Sequence, residues 1–293
     1  MKKFLLKVCW IIATLFILMG LLDLAFTHAY TNTPPRNKTR YLVQLRNRHI
    51  DYIFLGSSRV RDLINTKIVV SKTSKTAINL GINGTKPDDI FLQLKLLVDN
   101  KVTFTKIFIQ IDYTYNAVDP SNLVGSEALP YIRNNAVVRA HLRQFEPNFI
   151  PYYYVPFYRY IDNAHTIGFR SFFSTVVSRD KLDFTDGFEP WGDKFSKGTF
   201  RLPNKITASN TTFDAIQKFC IDHKIDVVYF TSPYCDDFLN NSFTDQLKLK
   251  VPQLNDYSKA LTNKKYFRDC LHLNLTGADV FTKMLVEDCI TNP

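Results

Sequence analysis

The chain has 293 residues and a formal net charge of +10, with 45% hydrophobic and 14% aromatic residues. This composition excludes a disordered chain, and the length suffices for one α/β domain with a substantial core or for two small domains. Without residues 1–30, 34 basic and 26 acidic residues remain, which leaves a charge of +8. Such a surface suits an anionic envelope polymer or lipid headgroups, and a scattered solvated surface explains it equally well. No nucleic-acid motif accompanies the charge, so no nucleic acid is expected as a partner.

The first thirty residues form an apolar segment behind a basic start. Three lysines lie among the first seven residues, the run 8–22 carries no charge, and apolar residues continue after Asp23 to position 29. About twenty residues at about 1.5 Å each cross the hydrocarbon core of a bilayer. We therefore predict a cytoplasmic tail and transmembrane anchor over 1–30, with Asp23 towards the far interface. The alternative is a cleaved signal peptide, which shares the basic start, but no Ala-x-Ala cleavage pattern follows.

The charges around this segment bear on its orientation. The lysines before the segment favour a cytoplasmic N-terminus. The five basic residues between positions 36 and 48 favour the opposite orientation, with the chain after the segment in the cytoplasm. Large domains are translocated largely regardless of their charge. We therefore expect a single-pass membrane protein whose domain is extracytoplasmic, either periplasmic or at the cell surface. A linker is predicted over 31–45, because TNTPPRNKTR contains two prolines and no apolar periodicity.

Four of the five cysteines fall outside the predicted anchor, at Cys220, Cys235, Cys270 and Cys289. An even number permits two disulfides with three connectivities, and four buried free thiols are the alternative. None of the four has the CxxC spacing of a zinc site. No metal and no other cofactor is predicted.

Short apolar runs alternate with helical patterns along the rest of the chain. Strands are predicted in DYIFLGSS (51–58), TAINLGI (76–82), KIFIQID (106–112) and DVVYFTSP (226–233), and helices over 88–100, 212–224 and 275–290. Nearly continuous apolar strands are typical of a parallel sheet buried on both faces. The pattern predicts a doubly wound α/β domain over 46–293, with its site beyond the carboxyl ends of the strands.

An aromatic-rich insertion at about 115–205 separates the third strand from the fourth. Its densest stretch is EPNFIPYYYVPFYRYIDNAH, residues 146–165. We expect the insertion to pack an aromatic core of its own on the sheet. The alternatives are a substrate-binding lid and a membrane-facing surface.

The first strand runs into Gly-Ser-Ser-Arg, where a sharp turn can expose a serine hydroxyl. A serine becomes a nucleophile when a histidine takes its proton and an acid orients that histidine. Asp269 and His272, three residues apart before the last helix, supply such a pair. The same spacing at Asp162 and His165 lies in the insertion with no companion motif and serves as a chance control. The alternative for Ser57 and Ser58 is helix capping.

These features resemble the SGNH (GDSL-like) hydrolases. The resemblance covers most of 50–112 and 212–290, leaves the insertion uncovered, and implies a three-layer flavodoxin-like fold with a central parallel sheet. The second glycine of the Gly-x-Ser-x-Gly elbow of α/β-hydrolases is absent, which disfavours that other fold. The family's Gly-Asp-Ser block matches Gly-Ser-Ser here, with Ser57 in the place of the aspartate and Ser58 as the implied nucleophile.

The resemblance also implies the other site residues. His272 is the general base, Asp269 orients it, and the amides of Ser58 and Gly84 form the oxyanion hole, with Gly81 as the alternative to Gly84. For Arg59, the functional interpretation is contact with an anionic group of the substrate, and the alternative is a solvated residue at a helix start.

The third block departs from the family pattern. Members place Gly-x-Asn-Asp after the third strand, and the asparagine side chain helps to hold the oxyanion. Here the stretch reads IQIDYTYN, in which Gln110, Asp112 and Asn116 are the candidate substitutes. Loss of one oxyanion donor typically costs about 10²–10³ in rate. Membrane-tethered members that modify cell-envelope polymers show similarly relaxed blocks.

The resemblance and the predicted location together lead to two functional expectations. The first is a serine esterase or O-acyltransferase that acts on acyl esters of envelope glycans, with the membrane and an acylated polysaccharide or other envelope ester as partners. The second is an inactive binding or assembly protein on the same fold. Neither the acyl group nor a protein partner follows from the sequence.

Overall fold

The computed structural model describes residues 1–177, 186–190, 192, 195–196, 200–238 and 242–291. The chain divides into two compact units. We call the first the helical unit; it comprises Met1–Gln44 and the described part of Asn122–Leu182. The second, the sheet unit, comprises the described parts of Leu45–Ser121 and Asp183–Pro293.

The described regular structure includes seven strands and fourteen α-helices. The strands are β1 (Tyr52–Leu55), β2 (Ala77–Asn79), β3 (Lys106–Gln110), β4 (Val227–Phe230), β5 (Leu254–Asn255), β6 (Phe267–Asp269) and β7 (His272–Leu273). The helices are α1 (Lys2–Asn32), α2 (Lys38–Gln44), α3 (Ser58–Arg61), α4 (Thr66–Thr73), α5 (Pro87–Asp99), α6 (Asn122–Ala128), α7 (Ala136–Phe145), α8 (Phe149–Tyr154), α9 (Tyr158–Asp162), α10 (Ala164–Ile167), α11 (Phe169–Val177), α12 (Thr211–Asp222), α13 (Phe243–Lys250) and α14 (Leu275–Val286).

A five-stranded parallel sheet forms the centre of the sheet unit, in the order β2-β1-β3-β4-β5. The four predicted strands are confirmed, and the two-residue strand β5 was missed. The register pairs Ile53 of β1 with Ile78 on one side and with Ile107 on the other. Because the chain runs from β1 to β2 and then returns past β1 to β3, the strand order reverses at β1. A crevice for a ligand opens at such a reversal, beyond the carboxyl ends of the strands.

Helices that cover the sheet follow the predicted pattern. The predictions over 88–100, 212–224 and 275–290 correspond to α5, α12 and α14, although α14 ends at Val286 and a π-helical turn follows it. Asn210 and Asn274 accept hydrogen bonds from the first turns of α12 and α14, which explains where these helices begin. On α14, Phe281 and Leu285 are buried in the same core as the phenylalanines of the strands. Each such side chain contributes about 1.5–3 kcal/mol through burial.

The helical unit differs from the predicted division into an anchor, a linker and an insertion on the sheet. Part of the predicted linker is helix α2, whose Arg40, Leu42 and Val43 are buried, so the linker prediction is wrong for Lys38–Gln44. The aromatic residues of the insertion pack around α1 near Phe26, whose ring contacts those of Phe157, Tyr160, Phe169 and Phe172. The insertion therefore shares its core with the N-terminal helix. Its positions 178–185, 191, 193–194 and 197–199 lie outside the described residues.

Helix α1 is the one helix, among the described residues, that is long and apolar enough to cross a membrane. The sequence predicts Asp23 towards the far interface but does not indicate which residues bind its carboxylate. Asp23 is buried and accepts two hydrogen bonds of 2.9 Å from the Arg159 guanidinium and one of 3.0 Å from Arg133. The Phe157 amide donates a further bond of 2.6 Å to it. The charge that interrupts the apolar run thus ties α1 to the rest of the helical unit.

Candidate functional site

The turn after β1 presents a serine hydroxyl at the carboxyl end of the sheet. Gly56 has φ 155°, and a Cβ there would lie 2.5 Å from the Val60 side chain, so the sharp turn requires glycine. Ser58 begins α3 directly after this turn. Its Oγ lies 2.8 Å from His272 Nε2, although the two residues are more than two hundred positions apart in sequence. The turn and the last strand of the chain therefore meet at one place.

The β6–β7 ribbon holds the histidine and its carboxylate. His272 Nδ1 lies 3.0 Å from both carboxylate oxygens of Asp269, and the Leu271 and His272 amides donate to the same carboxylate. Burial alone would raise the pKa of Asp269, but these hydrogen bonds and the histidine outweigh it and hold the pKa below its ordinary value. A proton on Nδ1, donated to Asp269, leaves Nε2 free to accept from Ser58. The hydroxyl, the imidazole and the carboxylate thus form a chain of contacts of the kind that nucleophilic catalysis by a serine requires.

This site is reachable by a substrate. The side chains of His272 and Asp269 are 19% and 26% exposed, and Ser58 is just below the surface. The second Asp-x-x-His sequence, Asp162 and His165, has a different environment. The Asp162 carboxylate accepts a hydrogen bond from Tyr152. Of the two Asp-x-x-His sequences, Asp269–His272 is the one that contacts a serine in the described part of the chain.

The neighbouring serine has a different task. Ser57 Oγ donates to Gln110 Oε1 at 3.0 Å and accepts from the Arg59 amide at 3.3 Å, which makes Ser57 the cap of α3. Its own amide also donates to Gln110. The capping alternative thus applies to Ser57, and Ser58 is the serine that faces the histidine.

Arg59 is not the solvated residue of the alternative, and its guanidinium is bonded within the protein. Its guanidinium is fully buried and stacks on the Tyr234 ring at 3.9 Å. It pairs with Asp112 at 2.7 Å, and it donates to the carbonyls of three loop residues, Leu271, Ser232 and Pro233. Arg59 is buried because helix α3 turns residue 59 towards the interior. There it faces main-chain carbonyl oxygens of the loop after β4 and of the β6–β7 turn, to which it donates. Arg59 therefore links the turn of the serine to the loop of the histidine.

The candidates for the missing third-block asparagine are all bonded within the protein. Gln110 accepts from Ser57 and donates to Asp112, and the Asp112 carboxylate is paired with Arg59. Asn116 donates to the Lys205 carbonyl and accepts from the amide of residue 207. None of the three therefore has its side chain committed to an oxyanion at Ser58.

Two backbone amides near the serine were predicted to stabilise an oxyanion. The Ser58 amide donates to no protein acceptor within the described part of the chain. The Gly81 amide donates to Asn79 Oδ1, and Gly81 packs against the backbone of Arg61, so the alternative glycine is already engaged. Gly84 occupies a turn with φ 71° and open space beside it. Its part in an oxyanion hole stays a prediction.

One disulfide connects the loops of the site. Cys235, after β4, is bonded to Cys270, which lies between Asp269 and His272, whereas Cys220 and Cys289 are buried free thiols. Of the two disulfides that the cysteine count permits, the described structure thus contains one. Cys235 and Cys270 also form, with Asp237, the one cluster of candidate metal ligands found among the described residues. Because the two sulfurs are bonded to each other, they do not act as thiolate ligands.

Sequence reasoning missed the residues that hold the site together. Asn79 donates to carbonyls at the end of α3, and Ser232 Oγ donates to the Arg59 carbonyl. Both residues lie within predicted strands as polar residues among apolar ones, and in the structure Asn79 ends β2 and Ser232 follows β4. Neither a comparison with known protein families nor one with characterised proteins finds a match to this chain. Arguments about function therefore rest on the residues themselves.

Proposed function

We propose that the chain is a membrane-anchored serine esterase or O-acyltransferase of the SGNH-like type. The observation that carries the proposal is the chain of contacts from Ser58 Oγ through His272 to Asp269, at 2.8 Å and 3.0 Å. In that geometry Ser58 Oγ attacks an ester carbonyl while His272 Nε2 takes its proton. The imidazolium then gives the proton to the leaving alcohol, and the acyl group stays on Ser58.

The second half of the reaction reverses these roles. Water or a sugar hydroxyl gives its proton to His272 and attacks the acyl-serine, and the serine recovers its proton from the histidine. Water releases a carboxylic acid, and a sugar hydroxyl yields a new ester. Asp269 stabilises the imidazolium through both steps, and its lowered pKa keeps it ionised. The Ser58 and Gly84 amides are the proposed donors to the oxyanion.

Several observations support the family and the location. The sheet order β2-β1-β3-β4-β5 is the order of flavodoxin-like sheets, and the serine follows β1 where that order reverses. Helix α1 has the length and composition of a membrane span. Its last third contributes Phe26 and Tyr30 to the core of the helical unit, which favours an anchor retained in the mature chain over a cleaved signal peptide. We place the N-terminus in the cytoplasm and the sheet unit outside.

The proposed substrates are acyl esters of envelope glycans. The chain beyond residue 30 carries a charge of +8, which suits an anionic polymer, and a tethered enzyme meets such polymers at the membrane surface. No metal or other cofactor enters the reaction, because a serine triad moves the proton and the acyl group by itself.

A fluorophosphonate probe tests this proposal. The full-length protein in detergent should become labelled and should hydrolyse aryl acetates, and both properties should vanish in Ser58→Ala. Ser57→Ala is the matched control one residue away: it loses a cap, worth about 1 kcal/mol of stability, and should keep labelling. His272→Ala should strongly slow both reactions. Absence of labelling and turnover in the wild type contradicts the proposal.

A second function deserves a test because of the third block. The three candidates in the third block all bond within the protein: Gln110, Asp112 and Asn116. None of them therefore supplies the oxyanion donor that the family pattern places in this block. This observation favours a binding or assembly protein of the envelope that retains the fold without fast chemistry. Binding of an acylated glycan by both wild type and Ser58→Ala, with no turnover by the wild type, identifies that function.

A further inference from the structure

Helix α11 turns an apolar stripe outwards and buries a polar residue. Phe169, Phe173, Val176 and Val177 lie on one side of the helix, and their exposed fractions are between 52% and 72%. Thr175, a polar residue, is instead buried at 7% exposure. Surface helices normally bury their apolar stripe and expose the polar one. An apolar face turned outwards is typical of contact with a membrane or a partner.

Polar contacts fix this orientation of α11. Thr175 Oγ1 accepts a hydrogen bond from Arg40 of α2 at 3.3 Å, and the Ser174 carbonyl accepts one from Arg36. Arg40 also donates to the Tyr30 carbonyl and to Thr33 at the end of α1. Rotating α11 to bury its apolar face would break these contacts. The outward apolar face is therefore built into the helical unit.

Helix α11 meets α1 where the exposed stretch of α1 ends. The rings of Phe169 and Phe172 contact Phe26 of α1, with centroid distances of 5.1 Å and 4.1 Å. Just before Phe26, Leu21 and Leu24 of α1 are more than half exposed. Since these leucines belong to the proposed membrane span, α11 contacts α1 at the level where the span leaves the bilayer.

We infer that α11 lies in the membrane interface, with Phe169, Phe173, Val176 and Val177 against the acyl chains of the leaflet from which α1 emerges. This inference rests on the proposed membrane span of α1. The occupant is lipid, because α11 packs on α1 at Phe26, directly after the apolar stretch that is itself unburied. Arg170 is exposed on the same helix, where its guanidinium suits a lipid phosphate. Such contacts hold the helical unit at the membrane surface and restrict its rotation about α1.

Site-specific fluorescence in vesicles tests the inference. The full-length chain, with Cys9→Ser to remove its exposed thiol, carries an environment-sensitive nitrobenzoxadiazole label at Phe173→Cys. Parallel samples carry the label at Ile12→Cys in α1 or at Leu249→Cys in α13, an exposed apolar position of the sheet unit and so a matched control. Each sample is reconstituted in phosphatidylcholine and phosphatidylglycerol vesicles, with or without brominated acyl chains.

We expect blue-shifted emission that brominated lipid quenches at positions 12 and 173, and neither effect at Leu249→Cys. Quenching at position 12 without quenching at 173 overturns the inference and leaves the span intact. A blue shift at 173 without quenching also overturns it, because a second copy or another protein then covers the face. Absence of quenching at both positions overturns the membrane span as well. Quenching at 173 alone contradicts the span and overturns the inference with it, because the inference rests on α1 crossing the bilayer.

Discussion

Two buried arginine–aspartate pairs, one in each unit, can be compared directly. Arg59 pairs with Asp112 in the sheet unit, and Arg159 pairs with Asp23 in the helical unit. Both guanidinium groups are fully buried, and each lies against a tyrosine ring. Buried charges persist only with such partners, because an unpaired ion in the interior is costly.

The two pairs differ in what they connect. Beyond Asp112, Arg59 donates to main-chain carbonyls in two loops at the carboxyl end of the sheet, one of them directly before His272. Arg159 instead binds Asp23 through two nitrogens and reaches Thr27, both on α1. One pair lies at the proposed site and the other attaches a helix. Burial and charge alone therefore do not distinguish a positioning residue from an assembly contact, whereas the partners do.

Replacing Arg59 should have the largest effect. Arg59→Ala leaves the Asp112 carboxylate buried without its cation, and we expect a loss of about 3–5 kcal/mol in the stability of the sheet unit. Hydrogen exchange of peptides around β1 and β3 measures this loss. Arg59→Lys keeps the charge without the planar set of donors, so it should recover part of the stability. In that variant kcat of the ester reaction should fall more than KM rises; the reverse split would indicate that Arg59 binds substrate.

Replacing Asp23 should have a comparable effect in the other unit. Asp23→Ala leaves Arg159 buried without a carboxylate, and we expect about 3–5 kcal/mol of lost stability in α8, α9 and α11, seen as faster hydrogen exchange. The double variant Asp23→Leu/Arg159→Met should recover much of it, because apolar residues of similar size can replace a buried pair. Fluorophosphonate labelling of Ser58 should survive in both variants. Slower labelling of Ser58 in Asp23→Ala, with unchanged hydrogen exchange in the helical unit, would contradict this account. It would mean that the Asp23–Arg159 pair positions the site and does not attach α1.

Removing the disulfide should have an intermediate effect on the site. The Cys235→Ala/Cys270→Ala variant should lose about 2–4 kcal/mol of stability through the freed loops. Because Cys270 lies between Asp269 and His272, kcat should fall as well. Cys9→Ser, which changes an exposed thiol of α1, is the control and should leave thermal midpoint and kcat unchanged. Equal kcat in all three proteins would show that the β6–β7 ribbon orients the histidine unaided.

The smallest expected effect concerns a buried carboxyl group that has no arginine. Burial raises the pKa of Asp89 to about 6, against the opposing hydrogen bonds from the Lys86 and Ser121 amides. Since the folded pKa lies above the unfolded one, the folded state holds the proton more tightly. Stability should therefore decrease as pH rises from about 4 to above 6, by up to about 3 kcal/mol.

Stability measured against pH isolates this group. Asp89→Asn, which cannot titrate, should reduce the slope between about pH 4 and 6, whatever its absolute stability, while Glu127, whose pKa burial raises to about 7, keeps its own part of the dependence. Asp222→Asn, an exposed carboxylate at the end of α12, is the matched control and should leave the slope as in wild type. If the slope of stability against pH is unchanged in Asp89→Asn, then burial without an arginine partner does not raise the pKa of Asp89.

The sheet and the serine–histidine–aspartate arrangement could be predicted because their signals are local. Continuous apolar runs mark β1, β3 and β4 in the sequence. Asp269 and His272 are three residues apart, so the sequence alone also shows this pair. Strand β5 was missed because two residues carry no periodicity. The sequence predicts a linker where α2 lies, because two prolines precede it and no apolar periodicity is visible, yet its Lys38 and Arg40 are buried.

The environments of Arg59 and Asp23 could not be predicted, because their partners are distant in sequence. The acceptors of Arg59 include main-chain carbonyls, which every residue has, so no residue type marks them. Asp23 is stabilised by arginines of the insertion, and nothing near position 23 indicates them. In both cases the sequence shows a charge, and only the fold shows its partner.

The most direct measurement is a search for the acyl-enzyme itself. Wild-type protein is mixed with an activated acetate ester, quenched in acid within the burst phase, digested and analysed by mass spectrometry. We predict one acetyl group on the peptide from the turn after β1, located at Ser58, present in Ser57→Ala and absent in Ser58→Ala. No acetylated serine in the wild type, or an adduct that persists in Ser58→Ala, would contradict a serine-nucleophile mechanism.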